Sequence, residues 1–339
     1  MATQPAYPWL VADIGATNAR FGWLAAANAP IERIATLPCT DHPGLEAAIR
    51  AYLEGIGAPP PEAVAIGIAT PVTGDRVSMT NRDWSFSIAE LQAALGLRAL
   101  AVVNDFTALA LALPGLSDRD RMLVGGGQAI AGAAIALLGA GSGLGVSGLL
   151  PGATSGSWLP ISGEGGHVTL AAEDDREAAV IGVLRRRYGH VSAERALSGP
   201  GLVDLYTALR QIESAANDTA ELHGAAEVLA RAAAGDRIAA ATLDLFCGWL
   251  GQVAGNLALT LGARGGVYIG GGIVPRLGTA FAASPFRERF ESKGRFRPYL
   301  AAIPVWVITA SESPALAGAA RALERQLAAG PGQDLASDA

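Results

Sequence analysis

A carboxylate follows an apolar, β-branched run in residues 101–110, AVVNDFTALA. The run ends at Asn104 and Asp105, and apolar residues at helical spacing come after it. We therefore predict a buried strand that ends at a carboxylate where a helix begins. In open α/β sheets ligands bind beyond the carboxyl ends of the strands, so Asp105 stands where a catalytic base would be placed. The alternative is that Asn104 or Asp105 only caps the helix.

Further polar side chains lie among small residues in the second half of the chain. Glu164 and His167 belong to SGEGGH, residues 162–167, where small neighbours give them room to point together into a cavity; a surface loop is the alternative. Glu194 and Arg195 precede ALSGPG, and Glu194 taken alone would be interpreted as a solvated side chain. With Asn104 and Asp105, these residues offer donors and acceptors for several hydroxyls, which is what a sugar site requires.

Three glycine-rich turns each follow a predicted strand, at residues 15–18, 139–145 and 270–272. Glycine lets the backbone approach a ligand closely and point N–H groups at anionic oxygens. One such turn is usually a hairpin, but three, two of them in matching positions, favour a nucleotide. Asp13, at the end of the first strand, is placed to hold Mg²⁺ through water, unless it is only the side-chain partner of an Asx-turn.

The common phosphate and metal motifs are absent from the sequence. Lys293 is the only lysine and follows no glycine loop, which excludes a Walker A sequence. Gly143-x-Gly145-x-x-Gly148 matches the dinucleotide fingerprint in form, but the following LLPG does not open a helix. The two cysteines are far apart and the four histidines lack metal-ligand spacing, so neither a disulfide framework nor a transition-metal site is expected. These residues are Cys39, Cys247, His42, His167, His190 and His223.

Composition bounds the class of protein. A chain of 339 residues, half of them hydrophobic and 17% charged, predicts about two domains with large cores. A net charge of −6 argues against nucleic acid or an anionic membrane as a partner. The start has no signal pattern, and glycines interrupt the uncharged stretch 122–163, which favours strand–turn–strand over a membrane span. We expect a soluble, cytoplasmic protein.

The predicted elements that position these residues repeat along the chain. Residues 10–113 read as three strands, a helix, a strand, a helix, the strand before Asp105 and a helix. Strand, glycine turn and strand then recur at residues 134–150. This pattern predicts two similar α/β lobes with a cleft between them. We expect the last helix, residues 314–327, to pack back on the first lobe.

Several stretches resemble the bacterial glucokinase family, the non-ROK group of the hexokinase–actin–heat-shock ATPase superfamily, in family order from about residue 9 to 320. They are DIGATNAR (13–20), PVTGD (71–75), MTNRDWSF (79–86), NDF (104–106), GSGLGV (141–146), SGEGGH (162–167), ER with SGPG (194–201), YIGGGIVPR (268–276) and FESKGR (290–295).

The resemblance implies a duplicated ribonuclease-H-like (actin-like ATPase) α/β fold with an interlobe cleft. Its smaller lobe would be residues 1–115 plus 313–330, its larger lobe 116–312, and 331–339 a flexible tail. The implied reaction is phosphorylation of D-glucose at the 6-hydroxyl by MgATP, which feeds glycolysis, in a homodimer. Asp105 would be the base, and the sugar would be held by Asn104, Asp105, Glu164, His167 and Glu194. ATP would be held by Ala12, Asp13, Ile14, Gly15, Ala16, Thr17, Asn18, Gly141, Ser142 and Gly143, with Gly270, Gly271 and Gly272 near its adenosine.

Three departures from the family pattern stand out. Ala16 replaces a usual second glycine, Ser142 replaces threonine but keeps the hydroxyl, and ESPA at 312–315 replaces the usual Asn-Pro-Gly segment. We assign no function to that last segment. The zinc-binding cysteines of ROK kinases are absent. Two rival functions stay open: a non-catalytic sugar-sensing protein, which would need no base, and a kinase for another hexose such as mannose or fructose.

Overall fold

The computed structural model describes residues 6–79, 82–154, 156–213, 222 and 224–329. The chain divides into two compact units, one formed by Met1–Ser117 with Ala310–Ala339 and the other by Asp118–Thr309. The predicted tail at 331–339, His223, and Thr80 and Asn81 of the stretch 79–86 lie outside the described residues.

The first unit is built on a five-stranded sheet. Its strands are β1 (Trp9–Ile14), β2 (Asn18–Leu24), β3 (Ile31–Pro38), β4 (Ala63–Ile68) and β7 (Ala99–Asn104), and β5 (Arg76–Ser78) and β6 (Ser85–Ser87) form a separate hairpin. Its helices before residue 117 are α1 (Leu45–Gly55), α2 (Ile88–Ala94) and α3 (Asp105–Ala112). The order in the sheet is β3-β2-β1-β4-β7, with an antiparallel meander followed by strands parallel to β1.

The parallel strands of this sheet bring their carboxyl ends level. Asp13 of β1 pairs with Gly67 of β4, and Ile68 of β4 pairs with Asn104 of β7. All of β4 and most of β1 are buried, as expected for strands covered on both faces. The two carboxylates predicted to do chemistry, Asp13 and Asp105, therefore lie at the same edge of the sheet, one on each side of β4.

The second unit repeats this plan. Its strands are β8 (Arg121–Val124), β9 (Ile135–Ala140), β10 (Leu144–Pro151), β11 (Trp158–Ile161), β12 (Val267–Gly270) and β13 (Val305–Ile308). They run in the order β11-β10-β9-β12-β13-β8. The antiparallel meander β9-β10-β11 corresponds to β1-β2-β3, and β12 and β13 lie parallel to β9 as β4 and β7 lie parallel to β1. The duplication predicted from the sequence is confirmed, with β8 added antiparallel at the far edge.

Most helices of the second unit cover its sheet around the long, buried α8. They are α4 (Asp175–Tyr188), α5 (Ala193–Ala196), α6 (Gly199–Glu213), α7 (Ala225–Ala233), α8 (Arg237–Leu261), α9 (Val274–Leu277), α10 (Thr279–Ala283), α11 (Phe286–Glu291) and α12 (Arg297–Ala301). Within the described ranges, α8 alone is long and apolar enough to cross a membrane, but 72% of that window is buried inside the protein. It has the burial of a core helix.

A buried ionic network ties α4, α8 and α11 together. Oε1 of Glu177, a residue only 3% exposed, lies 2.7 Å from Nη1 of Arg289. Oε2 of Glu177 accepts hydrogen bonds from Nε1 of Trp249 at 3.1 Å and from the Glu173 N–H at 2.7 Å. Glu173 in turn lies 3.1 Å from Nε of Arg289 and 3.7 Å from Nζ of Lys293. These ion pairs offset part of the cost of burying the charges, although Nε and Nη2 of Arg289 are buried and make no hydrogen bond to the described residues.

The final helix, α13 (Pro314–Ala329), belongs to the first unit. It packs against α3 and against β1, β4 and β7. Leu316, Ala319 and Leu323 are buried in one apolar cluster with residues of those strands. At Gly318 a Cβ would lie 1.7 Å from the carbonyl oxygen of Ala108, so only glycine permits this close contact between α13 and α3.

Candidate active site

Asp105 is the first residue of α3, directly after β7. The side chain of Asn104 caps this helix: Oδ1 of Asn104 accepts hydrogen bonds from the N–H groups of Phe106 at 2.9 Å and Thr107 at 3.3 Å. Oδ1 of Asp105 also accepts from the Phe106 N–H, at 2.9 Å. The capping alternative therefore applies to Asn104, and the cap holds Asp105 in place at the start of the helix.

The environment of Asp105 raises the pKa of its carboxyl to about 6. Burial is the largest cause, because it disfavours the charged form, and the negative charge of Asp13 acts in the same direction. Hydrogen bonds from the Phe106 N–H and Asn104 oppose the rise but are outweighed. A carboxylate of this pKa is ionised at neutral pH and still a better proton acceptor than an ordinary aspartate.

The raised pKa predicts that Asp105→Asn stabilises the protein at pH 7. Moving a carboxyl from its ordinary pKa of 3.8 to about 6 makes its ionised form unfavourable in the folded state, by up to about 3 kcal/mol at 1.36 kcal/mol per pH unit. This cost is present above about pH 6 and vanishes below about pH 4, where the carboxyl is neutral in both folded and unfolded chains. Urea unfolding at pH 7.5 and pH 4 measures it; an Asn variant less stable at pH 7.5 would contradict it.

Asp13 lies at the end of β1, two strands away from Asp105, a separation of roughly 10 Å between backbones. Its Oδ2 accepts a hydrogen bond from the hydroxyl of Ser313 at 2.6 Å, and Nη1 of Arg20 lies 3.8 Å from the same oxygen. The bond to Ser313 stands in place of the Asx-turn that was the alternative for Asp13. Between the two carboxylates, a Cβ at Gly67 would lie 3.0 Å from Cβ of Ala108, so glycine on β4 lets α3 approach the sheet.

The turn after Asp13 is held by backbone hydrogen bonds. The Gly15 N–H donates to the Asn18 carbonyl at 2.9 Å, and the Cys39 N–H donates to the Thr17 carbonyl at 2.9 Å. Nε of Arg82 donates to the carbonyl of Ala16 at 3.2 Å. Ala16 is not among the described non-glycine residues with positive φ, which are Asn28 and Arg33. The backbone at position 16 therefore does not require the glycine that the family usually has there.

In the second unit, Glu194 is bound to the glycine turn between β9 and β10. Its Oε2 accepts a hydrogen bond from the Leu144 N–H at 2.9 Å, and a Cβ at Gly143 would lie 2.4 Å from that oxygen. The Gly199 N–H donates to the Gly141 carbonyl at 2.8 Å. These contacts bring a predicted sugar residue and a predicted phosphate turn, Gly141, Ser142 and Gly143, together. The alternative of a solvated Glu194 is not what the structure shows.

The turn after β12 lies against the end of β9, where the turn of Gly141, Ser142 and Gly143 begins. Gly271 has a φ of +79°, and a Cβ there would lie 2.2 Å from the Ala140 carbonyl oxygen. Gly270, Gly271 and Gly272 therefore meet the end of β9, next to Gly141. A hollow of about 120 Å³ lies beside them, lined by Ala225, Ala226, Leu229, Ile273 and Arg276.

Glu164 and His167 lie together on a short turn after β11. Nε2 of His167 is 3.8 Å from Oε2 of Glu164, and the side chains are 58% and 59% exposed. This exposure is that of a surface loop, which was the alternative, and not that of side chains enclosed in a cavity. The glycines between them let the turn sit directly on β10: a Cβ at Gly166 would lie 2.1 Å from the Leu144 carbonyl oxygen. Because the Leu144 N–H binds Glu194, one residue of β10 joins both predicted sugar-binding segments.

Two contributors to these sites escaped sequence reasoning. Ser313, which binds Asp13, lies in the segment to which no function was assigned, 300 residues from its partner. Arg82 lies in the family stretch 79–86, but nothing in the sequence pattern connects it to Ala16. The one sequence feature that sets Ser313 apart is that residues 312–315 depart from the family pattern.

Comparison with known proteins identifies the relatives of this chain. The sequence profile of the family described as Glucokinase matches residues 10–326. The chain is 56% identical to a glucokinase of Aromatoleum aromaticum over 326 residues, 95% of this chain and 96% of that protein. The crystal structure of a glucokinase from an Antarctic psychrotroph superposes with a TM-score of 0.83 at 39% identity, covering 94% of this chain and 99% of that one.

More distant structures share the fold. A ROK family glucokinase of Streptomyces griseus, solved in complex with glucose and AMPPNP, has a TM-score of 0.63 at 20% identity and covers 94% of this chain and 100% of that one. The two-lobe, actin-like ATPase fold and the family resemblance predicted from the sequence are confirmed.

Proposed function

We propose that this chain, which belongs to the glucokinase family, transfers the γ-phosphoryl group of ATP to the 6-hydroxyl of D-glucose. The observation that carries the proposal within the molecule is Asp105, a partly buried carboxylate with a raised pKa at the carboxyl end of a parallel strand. The 56% identity to a glucokinase over nearly the whole chain supports the same reaction. A sugar-sensing protein without catalysis would have no use for such a base.

Asp105 is the proposed proton acceptor. As the 6-oxygen of glucose attacks the γ-phosphorus, a new P–O bond forms, the bond to the β-phosphate oxygen breaks, ADP leaves, and the hydroxyl proton passes to the Asp105 carboxylate. Phosphoryl transfer needs little covalent help, so alignment and charge stabilisation supply most of the acceleration. Exclusion of water from the bound substrates would also limit ATP hydrolysis.

Four further side chains are proposed to bind the sugar hydroxyls: Asn104, Glu164, His167 and Glu194. Asn104 uses its Oδ1 to cap α3, and its Nδ2 donates to the Thr70 carbonyl at 3.4 Å, so the second N–H of the amide is the part of this side chain proposed to bind a hydroxyl. Glu164 and His167 offer an acceptor and a ring nitrogen 3.8 Å apart. One oxygen of Glu194 is bound to Leu144, and its other oxygen is the proposed sugar ligand.

The glycine turns are proposed to hold ATP. The Gly15 N–H donates to the Asn18 carbonyl and the Gly141 N–H to the Gly143 carbonyl. The N–H groups proposed to meet the phosphate oxygens are therefore those of Ala16, Thr17, Ser142 and Gly143. Gly270, Gly271 and Gly272 lie beside the hollow that includes Ile273 and Arg276, and the adenosine is proposed to lie there.

Asp13 is proposed to hold Mg²⁺ through water. The residues fit a magnesium ion, since a carboxylate oxygen is a hard ligand, and Mg²⁺ in kinases usually keeps several waters and binds through one or two carboxylates and the substrate phosphates. Nowhere in the described ranges do three His, Cys, Asp or Glu side chains cluster as metal ligands, and such a cation would take its other ligands from water and ATP. When bound, Mg²⁺ neutralises charge on the phosphates.

The remaining expectations are part of this proposal. The two units are proposed to be the smaller lobe, residues 1–115 plus 313–330, and the larger lobe, 116–312. The protein is proposed to act in the cytoplasm as a homodimer, to feed glycolysis, and to require neither nucleic acid nor a membrane.

A hexose panel with MgATP tests the function directly. We expect ADP release, followed in a coupled assay, with glucose as the best acceptor and little ATP hydrolysis without sugar. Preference for mannose or fructose would make the chain another hexose kinase. Glucose binding without phosphorylation would support the sugar-sensing alternative.

The pKa of Asp105 predicts the acid limb of the pH profile. Because the base must be ionised, kcat/KM for glucose should fall about tenfold per pH unit below about pH 6 and stay level above it. Initial rates from pH 4.5 to 8.5 measure this. The residual activity of Asp105→Asn should lack the limb; if it kept the same limb, another group would be responsible.

A further inference from the structure

Ser313 contacts the carboxylate that the proposed function assigns to Mg²⁺. Its hydroxyl donates to Oδ2 of Asp13 at 2.6 Å, and Arg20 approaches the same oxygen at 3.8 Å. Among the described residues, none donates a hydrogen bond to the other oxygen, Oδ1. Both protein contacts are thus on one oxygen of Asp13.

The fold fixes Ser313 relative to Asp13. Ser313 comes directly before α13, whose apolar face packs on the sheet that carries Asp13. Gly318, one turn into the helix, touches the backbone of Ala108 in α3. Pro314 at the first helical position has no N–H to leave unsatisfied. The position of the hydroxyl is therefore set by packing and not by the hydrogen bond alone.

The hydroxyl is used differently from that of an ordinary serine before a helix. A capping serine accepts a hydrogen bond from an N–H of its own first turn, whereas Ser313 gives its single proton to Asp13. Its carbonyl accepts from the Leu316 N–H at 3.2 Å.

We propose that Ser313 is a positioning residue for Asp13, and that its hydroxyl fixes one carboxylate oxygen so that the other is presented to a hydrated divalent cation bound with the nucleotide. The inference rests on the proposed function, because it presumes that MgATP is the phosphoryl donor. Partners that orient a metal-binding carboxylate typically change metal affinity by about 10- to 100-fold when removed.

Nucleotide binding by the full chain tests the proposal apart from turnover. Titration calorimetry with ADP at a series of Mg²⁺ concentrations gives the Mg²⁺ concentration for half-maximal tightening of ADP binding. Ser313→Ala should raise this concentration about tenfold or more, with ADP affinity in EDTA and KM for glucose unchanged within about twofold. Ser313→Thr and Ser313→Asn, which keep a donor, should restore the wild-type value. Ser311→Ala, an exposed serine in the same segment, is the matched control.

Three results would decide against the proposal. An unchanged Mg²⁺ dependence in Ser313→Ala, even with a lowered melting temperature, would reduce Ser313 to a structural role. Failure of both Thr and Asn to restore the dependence, or wild-type ADP binding that ignores Mg²⁺, would also overturn it. If the wild type binds ADP with Mg²⁺ but phosphorylates no hexose, the proposed function fails. The Mg²⁺ dependence of ADP binding in Ser313→Ala still tests the role of Ser313 in that case.

Discussion

Asp105→Asn is expected to lower kcat for glucose phosphorylation by about 10²- to 10⁴-fold. Asparagine has the same shape but cannot accept the hydroxyl proton at neutral pH. Its amide oxygen can still accept the hydrogen bond from the Phe106 N–H, so the start of α3 and the Asn104 cap should persist. The loss should therefore appear in catalysis and not in folding.

The measurement is kcat by coupled ADP assay together with glucose affinity by calorimetry. Glucose should bind the variant within a few-fold of the wild-type affinity. Glu54→Gln, which removes a charge on the exposed face of α1, is the matched control and should leave kcat unchanged. Turnover by Asp105→Asn close to that of the wild type would remove Asp105 from the mechanism.

Glu177→Ala is expected to destabilise the second unit by about 3–5 kcal/mol. The change removes the carboxylate beside Nη1 of Arg289 and leaves that guanidinium partly buried with less compensation. It also removes one of the two acceptors of Nε1 of Trp249, a fully buried side chain of α8, and leaves the Ala171 carbonyl at 3.2 Å as the other. For a unit of this size the loss corresponds to a fall in melting temperature of roughly 10 °C.

Two comparisons make this result specific. Glu46→Ala breaks an exposed ion pair with Arg50, in which the side chains are 46% and 56% exposed, and should cost less than about 1 kcal/mol. The double variant Glu177→Met with Arg289→Met should recover much of the loss, because it removes both charges together. Calorimetric unfolding measures all three; a Glu177→Ala cost no larger than that of Glu46→Ala would contradict the argument.

The parts of the fold that could be predicted are those with a strong local pattern. The strands before Asp13 and Asp105 are continuous apolar runs that end at polar residues, and the structure ends β1 and β7 within one residue of them. By contrast, β11 has four residues including Pro160, and α9, α10 and α12 have four or five each. Such short elements have too little periodicity to read and depend on what packs around them.

The candidate site shows the same division. Asp105 and the glycine turns could be proposed because a carboxylate or a glycine cluster after a strand is visible locally. The hydrogen bond from Ser313 to Asp13 joins residues 300 positions apart, and that from the Leu144 N–H to Glu194 joins residues 50 positions apart. Nothing in the sequence around a single serine or glutamate indicates a hydrogen-bond partner so far along the chain. These two contacts are therefore visible only in the tertiary structure.

The return of α13 to the first sheet has a consequence for synthesis of the protein. Leu316, Ala319 and Leu323 complete the apolar cluster that includes Trp9 and Val11, yet they leave the ribosome about 300 residues after them. During translation the nascent N-terminal sheet must wait with that face uncovered, while residues 118–309 already hold everything needed to collapse into their own core. The second unit should therefore mature first, and the exposed face of β1 and β4 is where a chaperone would be needed until α13 has been synthesised.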